Sequence, residues 1–242
     1  MKTFVPKPIG LQADMLKSLI PELEVNSSCV ERCATLVHPE WKRRGMDGLF
    51  VIPTHYALAR ISRGRNPNRP KEEAAWPKGN LAMELMEKLL HTIPKFHDGL
   101  GTGPEELAFR PELYMVDPRT VAGYDRLDLA TDGTGCGDIY VLPVSLRGRS
   151  GSGFAHFERL ALKEGEFGLD GSALCAIALT HSAFFEEKGA ETITSSGCGI
   201  RHYASHEWGV LDFMRNDDGP HIAWNEMHDG GTSPFGLVDI NA

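Results

Sequence analysis

Apolar residues recur at helical spacing in four stretches of the chain. Between Gln12 and Leu23, Met15, Leu16, Leu19 and Ile20 fall on one face before Pro21 interrupts, and a second helix is expected from Ser27 to Val37. Residues 80–92 carry a stripe of Leu81, Leu85 and Leu89 flanked by Ala82 and Met86, with Asn80 as the capping candidate. The fourth pattern covers residues 170–188, where Asp170 or Ser172 caps, Leu174, Ile177, Ala178, His181 and Phe184 or Phe185 recur, and Gly189 ends the run. Strand formers dominate GLFVIPTHYALARI, residues 48–61, whose proline predicts an edge strand or two short pieces. The proline-punctuated residues 63–79 predict a loop, and residues 97–138 predict glycine and proline turns between short strand-like pieces.

After DGTGCGD, a tight loop over 132–138, DIYVLPVSL predicts a strand. ETITSSGCGIR then predicts a strand and a glycine turn, WGVLDFM and PHIAWNEM pair as a hairpin, and FGLVDI supplies a last strand. Helices and strands are mixed but segregated. That pattern predicts an α+β fold, a mainly antiparallel sheet packed by helices with a C-terminal β-hairpin, as one domain over residues 1–242. A division into two lobes near residues 100–135 stays open. No internal repeat is visible at a period of roughly 20 to 50 residues.

Composition narrows the class. With 25 basic and 33 acidic residues among 242, the formal charge is −8, and the hydrophobic fraction of 41% is that of an ordinary folded chain. A sequence-independent grip on nucleic acid needs a continuous basic face, which this balance does not offer. Arg63, Arg65 and Arg69 are the densest basic group, and the glutamates that follow dilute it. No run approaches the roughly 18 apolar residues of a membrane span, and the first two dozen residues lack the apolar core of an export signal. The expectation is a cytoplasmic protein without membrane or nucleic-acid partners. Its five cysteines are then reduced. Cys29 and Cys33 share a helical face, but no second pair follows at zinc-site spacing, so they are expected in the core.

Five of the ten histidines lie from His181 onward, together with Cys198, Asp212, Glu226 and Asp229. If the hairpin turns over Arg215 to Gly219, then Met214 stands opposite Pro220, His206 opposite His228, Trp208 opposite Glu226 and Val210 opposite Trp224. His206, Glu226 and His228 then share one face of the sheet, in the arrangement of a two-histidine, one-carboxylate iron or zinc site. A two-residue Asp218-Gly219 turn breaks that pairing, so the metal reading depends on register. His202 and His206, four apart, are alternative helical co-ligands, without the glutamate of a metallohydrolase motif. His221 is a further pocket candidate. A second chemistry centres on Cys198, held in the glycine turn SSGCG, with His202 or His181 as its base and turn amides receiving an oxyanion. Cys136, between glycines, is a lesser thiol candidate, and GLGTG lacks the lysine-serine ending of a phosphate loop.

Over its last 80 or so residues the chain resembles a bacterial family known as domain of unknown function 5701. The residues carrying the resemblance are the helix DGSALCAIALTHSAFF, the turn TSSGCGIR and the tryptophan-bearing hairpin WGVLDFMRNDDGPHIAWNEMHDG. Glycine-cysteine-glycine at the turn and extra histidines in the hairpin depart from the family pattern. The resemblance implies an α+β fold and carries no activity.

The leading functional expectation is an intracellular enzyme acting on a small molecule. In it His206, Glu226 and His228 hold a divalent iron or zinc ion for hydrolytic or oxidative chemistry, and His181 or His202 carries the proton. The alternatives are a non-catalytic protein that binds a small molecule or a partner, and a Cys198 thiol enzyme. Substrate and oligomeric state are not fixed by these residues.

Overall fold

The computed structural model describes residues 4–65, 67, 77–90, 97–98, 114–150, 162–186, 192–195, 197–201, 208–216, 219–226 and 232–238. They form an α+β structure. The helices are α1 (Ile9–Leu19), α2 (Ser27–Thr35), α3 (His55–Arg65), α4 (Pro77–Leu90), α5 (Pro118–Thr131), α6 (Gly171–Thr180) and α7 (Ser182–Glu186). The strands are β1 (Gly48–Pro53), β2 (His97–Asp98), β3 (Tyr114–Val116), β4 (Ile139–Ser150), β5 (Glu166–Gly168), β6 (Ile193–Thr194), β7 (Cys198–Arg201), β8 (Trp208–Asn216), β9 (Gly219–Glu226) and β10 (Thr232–Leu237). One sheet runs in the order β1-β4-β10-β6-β8-β7-β3, with β5 added to β10, β9 to β8 and β2 to β9. Its pairings are antiparallel except β10 with β6 and β2 with β9. No helix among the described residues is long and apolar enough to cross a membrane.

The centre of the core is α6, all of whose residues are buried. It is apolar on every side because it packs against β1, α1, α4 and α7 at once. The expected helix over 170–188 is in fact two, since His181 leaves helical geometry at φ −131° and ψ 45°. Thr180 Oγ1 donates back to Ala176 O at 2.9 Å, and α7 restarts as Phe184 N–H reaches His181 O at 2.9 Å. The outer edge of β1 is closed by the buried Gln12 side chain, which accepts from Val51 N–H at 2.9 Å and donates to Leu49 O at 3.0 Å. A free strand edge is thereby occupied from within the chain.

Two helices depart from the sequence expectation. The strand of residues 48–61 stops at Pro53. Thr54 then caps α3, its hydroxyl accepting from Ala57 N–H at 3.0 Å. The turn-rich reading of 97–138 is corrected by α5, which starts with Asp117 as cap and Pro118 at its first position. Thr120, Gly123, Tyr124 and Leu127 form its buried face. Gly123 sits mid-helix because a β-carbon there would lie 2.5 Å from the Phe167 ring. The close approach of helix and ring outweighs the helical penalty of glycine, about 1 kcal/mol.

The hairpin exists, in a third register. Asn216 lies opposite Gly219, Leu211 opposite Trp224 and Gly209 opposite Glu226. Relative to the register expected for a metal site this is a slip of one residue.

Candidate functional site

Asp170, fully buried at the start of α6, gathers side chains from four elements, α3, β3, α5 and α6. Its Oδ1 accepts from Tyr124 OH at 2.7 Å, and its Oδ2 from Tyr114 OH at 3.0 Å and Ser172 Oγ at 2.6 Å. The amides of Ser172 and Ala173 also point at it, which makes it the N-cap of the core helix. His55 Nε2 lies 3.2 Å from Oδ2 and 2.9 Å from Ser172 Oγ. Because the Ser172 proton is directed at the carboxylate, the His55 Nε2 proton must serve both oxygens. Burial alone would raise the Asp170 carboxyl; the facing His55 and the hydrogen bonds from Ser172 and Tyr124 more than offset it and hold the group well below the usual carboxylate range.

Serine, histidine and aspartate thus meet, but not as a hydrolytic triad. In a triad the imidazole uses one nitrogen for the nucleophile and the other for the carboxylate. Here one nitrogen faces both, and Ser172 is 2% exposed. The cluster is an anchor for α6.

Cys198 belongs to the same cluster. Its Sγ accepts from Gly171 N–H at 3.3 Å and lies 2.9 Å from Ser195 Oγ. Burial, then the Asp170 charge, push the thiol up to about 12 against the opposing bonds from Ser195, Tyr114 and Gly171. It is a protonated core thiol. His181 lies at the other end of α6, which ten residues at 1.5 Å each place about 15 Å away. The structure therefore separates Cys198 from one of its two expected bases. The other, His202, lies outside the described residues.

His181 is itself a satisfied core histidine. Its Nε2 accepts from Lys7 N–H at 3.0 Å, Nδ1 lies 2.9 Å from Thr180 Oγ1, and Phe4 and Phe50 pack on the ring. Burial, followed by the Lys7 charge, lowers it from 6.5 to about 4. A base depressed in the folded chain makes stability fall as pH drops from the unfolded value towards the folded one, here from about 6.5 to about 4. NMR titration of the imidazole nitrogens should show His181 neutral until about pH 4. A midpoint above 6 would contradict the assigned packing.

Of the expected metal ligands, His206 and His228 lie outside the described residues. Glu226 ends β9 opposite Gly209, not opposite Trp208 as that reading required. His221 stands opposite Met214 in the hairpin and pairs in register with His97 of β2. Among the described residues, no three His, Cys, Asp or Glu side chains are grouped so as to hold a metal ion.

An open cavity lies elsewhere, between the start of α3, the exposed face of α5 and residues 132–138. Its volume is about 920 Å³, and Thr54, Tyr56, Asp125, Asp128, Leu129 and Asp132 line it with the glycine loop. Asp125, Asp128 and Leu129 lie within one helical turn of each other on α5, and Asp132 caps its C-terminal end. Asp128 accepts a short hydrogen bond from the buried Tyr140 hydroxyl, which fixes one carboxylate in the wall. Asp138 accepts from Arg60 at 2.5 Å and from Glu24 N–H at 2.7 Å. Gly133, Gly135 and Gly137 all take positive φ, near +70°, and this alternation curls DGTGCGD around the cavity. Tyr56 and Leu129 are 62% and 72% exposed.

The sequence marked residues 132–138 as a tight loop and Asp170 as a cap. It gave no sign of His55, Tyr114 or Tyr124 as partners of Asp170. The usable signal was the apolar helix itself, since a cap at the start of a fully buried helix must be buried and satisfied.

No family model, curated protein or solved structure matches the chain.

Proposed function

We propose that this chain is a small-molecule-binding protein whose ligand occupies the cavity between α3, α5 and residues 132–138. The observation carrying the reading is that two large, exposed side chains, Tyr56 and Leu129, stand on an open cavity of ligand size. The aspartates of α5 give the wall a negative sign, and of the lining carboxylates Asp138 is neutralised by Arg60. A ligand with an amine or guanidinium on an apolar or aromatic body fits both features. The reading is of binding because Cys198, Ser172 and His181 are all buried and none of them lines this cavity.

Tyramine, 4-ethylphenol and 4-hydroxyphenylacetate share one body and differ in charge, so they test the reading directly. Saturation-transfer NMR should detect tyramine ahead of the other two. Tyr56→Ala should weaken tyramine by about tenfold, the value of roughly 1.4 kcal/mol of aromatic contact. Equal signals from the three compounds, or an unchanged affinity in Tyr56→Ala, would remove the support for this site.

A further inference from the structure

Helix α5 also borders a second groove, which shares no lining residue with the acidic cavity. Its volume is about 280 Å³, and it lies between the helix and the turn that leads into β5. Arg119, Gly123 and Arg126 line it from the helix, Lys163 and Glu164 from the turn, and Phe167 from β5. Helical spacing puts both arginines, Ala122 and Gly123 on one strip of α5. Between the arginines this strip holds small residues, so the helix leaves a hollow there, and Gly123 rests its backbone on the Phe167 ring.

The turn is a fixed wall. Glu166 N–H donates to Lys163 O at 2.9 Å, Lys163 N–H donates to Glu166 Oε2 at 2.7 Å, and Val238 N–H reaches Gly165 O at 2.9 Å. Arg44 clamps the same turn through Glu164 O at 2.6 Å and Glu166 Oε1 at 3.5 Å. Charge along the groove is unbalanced. The buried Glu166 carboxylate is already matched by Arg44, and Arg119 has Asp117 at 3.5 Å. Through their side chains, Arg126 and Lys163 make no hydrogen bond or ion pair with any other described residue. The residues three and four places from Arg126 on α5 are Ala122, Gly123, Leu129 and Ala130, none of which can pair with it. Two uncompensated cations therefore stand against one exposed carboxylate of the lining, Glu164.

We infer that this groove binds a phosphate group between the Arg126 guanidinium of the helix and the Lys163 ammonium of the turn. Cations on a preformed wall select an oxyanion. Because these two come from different elements, the tetrahedral oxygens of phosphate, which accept from several directions, suit them better than the coplanar oxygens of a carboxylate. A groove at the lower edge of the size range of ligand sites restricts the rest of the ligand to a small body. Inorganic phosphate and small phosphate monoesters share this chemistry.

The test is NMR titration of the isotope-labelled full-length chain at constant ionic strength, following backbone amides and arginine Nε–Hε signals. Inorganic phosphate should move the Arg126 Nε–Hε and Lys163 amide signals along saturating curves with one dissociation constant below about 1 mM. Arg126→Gln and Lys163→Gln should each weaken binding by about tenfold, the scale of one hydrogen bond to a charged group. Both residues are exposed, so the rest of each spectrum should stay in place and report an intact fold. Arg43→Gln, which removes an exposed cation from another part of the surface, should change nothing. Glycerol phosphate separates the two sources: tighter binding than phosphate assigns the groove to a monoester, and equal or weaker binding assigns it to free phosphate. Malonate, a dianion with planar groups, should bind more weakly than phosphate by about tenfold. Shifts that do not saturate, an equal response at Arg43, unchanged affinity in both glutamine variants, or malonate binding as tight as phosphate would each overturn the inference. Tyramine reads the residues of the other cavity, so either result stands without the other.

Discussion

Asp170→Ala should lower the unfolding free energy by roughly 3 to 5 kcal/mol, the scale on which breaking a buried ion pair destabilises a domain. The carboxylate accepts from Tyr114, Tyr124 and Ser172 side chains, faces His55 and caps α6, and alanine would leave these groups buried without their acceptor. Asp170→Asn should cost less, because its amide oxygen still accepts, but the amide nitrogen then faces donors. Urea unfolding followed by circular dichroism checks both, with the midpoint of Asp170→Ala falling furthest. A loss below about 1 kcal/mol in Asp170→Ala would show that the cluster does not anchor the helix.

The same carboxylate sets an acid limit. Its folded-state affinity for a proton is depressed, so its stabilisation is complete above the unfolded value near 3.9 and drains away as pH falls below that. Below about pH 4 the wild type should therefore lose stability more steeply than Asp170→Ala. The His181 contribution comes earlier, between about 6.5 and about 4, so the two groups act in adjoining windows.

How much of this was legible depends on whether a feature is local. The apolar stripe of Leu81, Leu85 and Leu89 repeats within one element, and α4 follows it. Asp170 is a cap in sequence and in structure for the same local reason. Helix α5 was hidden because Gly123 reads as a breaker until Phe167, forty-four residues on, is seen lying over it. The hairpin was legible as a pair of strands, but its register hung on one residue of turn length, and every facing relation inherits that parity. The cavity was the least legible feature. Its aspartates belong to a helix not expected there, and residues 132–138 close it from a turn whose path depends on tertiary contact.

That dependence is sharpest at Gly137, where alanine should destabilise the fold by roughly 3 kcal/mol or more, from left-handed backbone plus a steric clash. At φ +76° its β-carbon would run into the Glu24 carbonyl oxygen and come within 3.2 Å of Cys29 Sγ. Backbone cannot yield there without loss, because Glu24 O accepts from Asp138 N–H at 3.3 Å while Glu24 N–H donates to Asp138 Oδ2 at 2.7 Å. Gly133 supplies the control. It has φ +68° and a β-carbon there would meet nothing within 4 Å, so Gly133→Ala should show only the backbone cost, about 1 to 2 kcal/mol. The difference between the two variants in urea midpoint isolates the clash. Gly137→Ala, by pushing residues 136–138 off residue 24, should also weaken tyramine binding in the fraction that stays folded. Equal destabilisation in the two variants would mean that the contact with residue 24 does not hold the loop, and with it the wall of the cavity, in place.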